Sequence, residues 1–163
     1  MILDNLLVFS GAVSAAGVLS GQAVNTAGSF LSTNTIDIAP LALGGNQAFD
    51  VGAGEPLEVE ISVMAAPTVG TSVQFQLIQA DDAALSVNVQ IINQTDAVPI
   101  ANLPTGAIVA LHYDRAAPYA PKRYIGLRYV NTGAIATASY FASIVKNIAD
   151  VKNIYGKSGF AVL

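Results

Sequence analysis

The chain has no cysteine, no tryptophan and a single histidine, and Lys, Arg, Asp and Glu together make up only 11% of its 163 residues. An average soluble domain carries roughly 25% charged residues. Without cysteine there is neither a disulfide framework nor a thiolate metal site, so stability must come from burial and association. The net charge is −4, and the basic residues are scattered or late in the chain. That excludes the clustered Lys and Arg that phosphate neutralisation requires, so no direct nucleic-acid contact is expected. The densest basic group, Lys122 and Arg123 with Arg128, reads as a small solvated edge. No run of about 18 apolar residues occurs that would make a membrane-spanning helix.

Hydrophobic residues make up 53% of the chain. With so few charges, much of the outer surface must be Ala, Ser, Thr, Asn, Gln and Gly, which suits a protein packed against others. The length is that of one domain. Residues 1–10 form an apolar arm in which Asp4 is the only charge, so the positive flank of a secretory signal is missing. Gly11, Gly17, Gly21 and Gly28 then mark a Gly/Ala/Ser-rich linker of low helix-forming power.

From about Ser32 the pattern changes to period two. Apolar residues alternate in 57–63, 73–77 and 87–91, and later segments at 108–113, 123–130 and 135–145 continue the theme. Turn signals at 52–56, 67–70, 81–82, 104–106, 118–121 and 131–133 separate them. Residues 144–154 hold at most a turn or two of helix. Short alternating strands with regular punctuation predict an antiparallel sandwich or barrel. The expected organisation is an N-terminal arm and linker over 1–30, a β-sandwich over 31–145 and a C-terminal tail over 146–163. The tail carries Tyr155, Phe160 and Leu163 and ends, like the N-terminal arm, on an apolar tip.

Candidate chemistry is sparse. His112 alternates away from Leu111 and Tyr113, and its H-x-D spacing to Asp114 lacks a nucleophile elbow. Glu58 and Glu60 share one strand face and read as solvated, without the aromatic cleft of a glycosidase. Asp81 and Asp82 occupy a turn but lack calcium-loop grammar. Gly52 and Gly54 read as a turn rather than a phosphate cradle. Tyr113, Tyr119, Tyr124, Tyr129 and Tyr140 fit a sheet surface or protein interface, with a sugar-stacking platform as the alternative. No catalytic, cofactor-binding or metal residue is expected.

The order of three segments is informative: Met1 to Asp4 leading to Leu6, Phe9 and Ser10; then Leu31 to Ile38; then Gly52 to Val59. Together with the later run Arg123 to Tyr129, it resembles the capsid cement, or decoration, proteins of tailed bacteriophages. The resemblance implies a jelly-roll-like β-sandwich with extended terminal arms, seated on the outer surface of the virion. It implies a non-enzymatic role: clamping neighbouring copies of the major capsid protein as a homo-oligomer, a dimer rather than a trimer. The apolar residues of the two arms, Ile2, Leu3, Leu6, Leu7, Phe9, Tyr155, Phe160 and Leu163, are the expected oligomer or capsid contacts. Two other readings stand beside it. One is a carbohydrate- or receptor-binding module. The other is a secreted subunit that donates its N-terminal strand to the next copy.

Overall fold

A computed structural model describes residues 5–38, 57–113 and 121–145. These residues form thirteen strands and no α-helix. The strands are β1 (Val8–Ser10), β2 (Ala12–Val13), β3 (Leu19–Ser20), β4 (Gln22–Ala23), β5 (Gly28–Leu31), β6 (Ile36–Asp37), β7 (Leu57–Thr68), β8 (Ser72–Ala80), β9 (Gln90–Gln94), β10 (Val98–Pro99), β11 (Ile108–Tyr113), β12 (Tyr124–Thr132) and β13 (Thr137–Val145).

One sheet runs β1-β13-β7-β11, with β4 also on β13; the other runs β10-β8-β12-β5, with β9 on β8 and β6 on β12. Every pairing is antiparallel. The short strands β2 and β3 pair with each other as a separate hairpin; setting them aside and grouping β1 with β4, β5 with β6, and β9 with β10 leaves eight strands. The last two, β12 and β13, return between the earliest strands and the hairpin β7–β8. That connectivity is a jelly roll, an all-β sandwich of two sheets.

Alternation explains the faces. Val59, Ile61 and Val63 of β7, and Phe75 and Leu77 of β8, point into the space between the sheets, where all are at most 1% exposed. At the centre Phe75 meets Tyr129 edge-on at 5.9 Å and Tyr140 edge-on at 5.3 Å, while the two tyrosine rings stack at 5.2 Å. Tyr140 comes from one sheet and Phe75 and Tyr129 from the other, so the aromatic group spans the sandwich. These tyrosines, with Tyr113, are core residues rather than the surface or interface expected from their spacing.

The described part of the first thirty residues also departs from expectation. Residues 5–30 are not an arm and linker but supply β1 to β4 and most of β5, which runs on through Leu31. Val8, Phe9 and Ser10 are 3% exposed or less, and the Tyr129 hydroxyl donates to Ser10 Oγ at 2.7 Å. Gly11, at φ +85°, brings the backbone so close that a Cβ there would collide with the Ser20 carbonyl and press on the Phe141 ring. Gly21 is as tightly placed, since a Cβ there would meet Ser139 and Met64, whereas Gly17 and Gly28 face open space; two of the four glycines that look like linker composition are close approaches of chain to sheet.

One expected strand is displaced. Residues 87 and 88 belong to the loop between β8 and β9, because Asp82 Oδ1 accepts the Ser86 and Val87 amides, both at 2.8 Å. Asn88 takes a left-handed backbone, and its side chain donates to Asp81 at 2.7 Å. The loop seats Leu85 over Gly126, beside Ile78 and Ala80. Of the expected helix over 144–154, Ile144 and Val145 belong to β13; the remainder lies outside the described residues.

The two core tyrosines should respond oppositely to loss of their hydroxyls. Tyr140 Oη is buried without a hydrogen-bond partner, whereas Tyr129 Oη is satisfied by Ser10. Tyr140→Phe should leave stability unchanged or raise it, and Tyr129→Phe should cost about 1 kcal/mol in urea unfolding. Burial raises both phenols above their ordinary value of 10, Tyr140 to about 12. Their contribution is therefore full below the unfolded value, near pH 10, and lost as pH rises toward the folded values. Absorbance titration should show these phenols ionising only as the chain unfolds.

Candidate interaction surfaces

Five strands, β6, β7, β11, β12 and β13, begin or end at one pole of the sandwich. Tyr113 lies opposite Leu57, Val145 opposite Glu58, and Tyr124 opposite Asp37. The Ile38 amide donates to the Arg123 carbonyl there, at 2.9 Å. A small, wholly apolar cavity at the same pole is lined by Phe9, Leu57, Val59, Leu77, Tyr113, Ile125 and Ile144, with room for about one water molecule. The antiparallel run of β1 along β13 points the chain toward this pole as it is traced back from Val8. There Leu6 is 80% and Leu7 38% exposed. Of the expected contact residues, these two are at the surface, while Phe9 is fully buried in the chain's own core and is not available to a partner. Ile2, Leu3, Tyr155, Phe160 and Leu163 lie outside the described residues.

Sheet edges are the second feature. An open edge presents backbone donors and acceptors to any passing strand. On β5 the Gln22 carboxamide acts like a neighbouring peptide group: its Nε2 donates to the Leu31 carbonyl and its Oε1 accepts the Thr33 amide, both at 2.8 Å. On β11 the Asn93 side chain donates to the His112 carbonyl at 2.9 Å. Asn131 Nδ2 donates to the carbonyls of Val24 and Thr26, at 3.1 and 2.9 Å, and Asn25 Oδ1 accepts the Ala138 amide at 2.9 Å. Sequence reasoning missed these residues because a polar side chain in a loop does not reveal which distant edge it will reach.

The charged residues also depart from the expected solvated pattern. Glu60 is only 4% exposed and accepts a hydrogen bond from Ser62 Oγ at 2.6 Å. His112 lies on the outer face as expected, and its Nδ1 stands 3.4 Å from Glu58 of the adjacent strand. In the loop after β8, hydrogen bonds from Lys122 and Asn88 hold the Asp81 carboxyl below its ordinary range; those from Val87 and Ser86 do the same for Asp82. Their oxygens are already engaged within the loop, and among the described residues no group of three or more His, Asp or Glu side chains gathers for a metal.

The outer face of the six-stranded sheet carries a chain of carboxamides ending on a cation. Arg128 Nε donates to Gln76 Oε1 at 2.6 Å. Gln76 Nε2 donates to Gln74 Oε1 at 3.1 Å and Gln94 Oε1 at 2.9 Å. Gln74 Nε2 then donates to the Thr95 carbonyl at 3.0 Å.

These features define a jelly-roll domain with carboxamides on its edges and an apolar pole. Residues 18–145 match the Bbp16 family, most of the chain's length, and the chain belongs to that family. No curated protein matches the chain.

Edge closure is directly testable. Gln22→Ala and Asn93→Ala should each cost about 1 kcal/mol of stability. The double variant should aggregate faster than wild type at equal fraction folded, read by light scattering during slow heating. Unchanged aggregation would show that the edges need no such cover.

Proposed function

We propose that this protein is a capsid cement protein. In this reading it binds the outside of an icosahedral phage head across seams between major capsid subunits and stabilises the shell against internal DNA pressure, as a homo-oligomer expected to be a dimer. The observation that carries the reading is the exposed Leu6 and Leu7 at the pole where the described stretches converge. A partner that covers those leucines gains about 25 cal/mol per Å² of apolar area removed from water. Symmetric copies multiply such modest contacts by linkage, and binding only the assembled shell stabilises it by mass action.

Less supports the two other readings. A tyrosine platform for sugars needs exposed rings, and Tyr113, Tyr129 and Tyr140 are buried while Tyr124 is stacked beneath Arg123, 5.1 Å from its guanidinium carbon; Tyr119 lies outside the described residues. Strand donation needs a detachable N-terminal strand, yet β1 supplies Phe9 and Ser10 to its own core.

The test uses expanded heads stripped of this protein. Added back, it should bind in stoichiometric amounts and raise the temperature at which the heads open. Leu6→Asp with Leu7→Asp should weaken binding by at least about tenfold while leaving the fold intact, and His112→Ala should have little effect. Removing residues 1–10 is not a clean alternative, because it takes Phe9 and Ser10 from the core. A stable monomer with no affinity for the heads would end the cement reading.

A further inference from the structure

Among the described residues, two of the three Lys and Arg side chains are neutralised within the fold. Lys122 pairs with Asp81 at 2.8 Å, and Arg123 with Asp37 at 2.9 Å. Arg128 differs. It stands mid-strand on the outer face of the six-stranded sheet, between Leu31 of β5 and Gln76 of β8. Its contact among the described residues is the single bond from Nε to Gln76. Among the described residues no carboxylate accompanies it.

A guanidinium offers five N–H donors in a rigid plane, and here one is used. Gln76, only 6% exposed, is fixed in turn by Gln74 and Gln94, so the network holds the base of the guanidinium and leaves its outer edge to be matched. The orientation is consistent along the network: the cation donates to a carbonyl whose own amide donates onward, and such chains polarise one another. Next to it Leu31 is 39% exposed, an apolar neighbour for whatever approaches. An oriented arginine beside an exposed aliphatic residue, on a flat face of carboxamides, has the composition of a protein-binding centre.

We propose that this face is a second docking surface and that Arg128 receives an acidic side chain of the partner, an Asp or Glu of a neighbouring shell subunit. The proposal rests on the cement reading and adds to it, since a protein that bridges a seam needs contact surfaces beyond its apolar pole. Charge identifies the occupant. A carboxylate matches the open edge of the guanidinium in bidentate fashion. A polyanion does not fit, because Arg128 is a lone cation on a face of neutral carboxamides in a chain of net charge −4. Gln76 is a positioning residue that acts through Arg128.

The experiment measures binding of the full chain to stripped expanded heads by cosedimentation, over a range of salt concentrations. Arg128→Gln should weaken binding by at least about tenfold and flatten its salt dependence. Arg128→Glu should weaken it further, and Arg128→Lys should restore part of the affinity. Thermal melts should move little for all three, because this partly buried side chain lies on the outer face of the sheet, away from the core. The Leu6 and Leu7 double variant should bind weakly yet keep the wild-type salt dependence, which separates the two surfaces. Wild-type protein that fails to bind heads would sink the cement reading and this proposal together. Wild-type binding with Arg128→Gln indistinguishable from it would overturn this proposal alone. Loss of self-association in Arg128→Gln, with head binding per oligomer unchanged, would place a second copy on this face and also overturn it.

Discussion

The contact between Tyr129 and Ser10 ties this fold together. The tyrosine belongs to the aromatic group with Phe75 and Tyr140 that fills the space between the sheets. Its hydroxyl reaches across to a strand 119 residues earlier in the chain. That bond acts together with the burial of Phe9 and the pairing of β1 along β13. The following residues are then led over the outer face, where Gly11 lies on Phe141. The short strands before residue 38, none longer than four residues, depend on such anchors: this bond, the pairing of β5 with β12 and the bonds of Asn131 to the Val24 and Thr26 carbonyls. Isolated pairs of that length are marginal in water.

A low-charge chain that stays folded and separate from its neighbours has to deal with its sheet edges. Charge is the common device for protecting an edge, and this chain has little of it. Carboxamides take its place: Gln22 on β5 and Asn93 on β11 hydrogen-bond to backbone groups that a foreign strand would otherwise claim. Further carboxamides orient Arg128 on the sheet face. A neutral amide can donate and accept at once without the desolvation cost of an ion. Such a surface stays compatible with close packing against another protein.

Much of the body was legible from residue order. Strands 57–63 and 73–77 alternate strictly, so burial of Val59, Ile61, Phe75 and Leu77 follows from the pleat, and so does the outward placement of His112. The strand expected at 87–91 was not legible, because its alternation is real but Asp82 draws residues 86 and 87 into a loop. An aspartate four and five residues before two backbone amides is a local signal of such a loop. The burial of Glu60 was illegible for another reason. Alternation says which face a residue takes, not whether another part of the chain covers that face.

The sequence by itself determined that the chain is all-β, antiparallel, poor in charge and supported by burial rather than by disulfides. Period-two patterning, turn residues and composition are local properties that need no partner to be read. Only the tertiary structure decided that the chain from Val8 to Leu31 supplies strands and is not a linker, that Phe9 is core while Leu6 is surface, and that Arg128 stands without a carboxylate among the described residues. Each of those outcomes depends on contacts between residues far apart in sequence. Glycine, glutamine and arginine keep the same local character whether or not a distant strand comes to meet them.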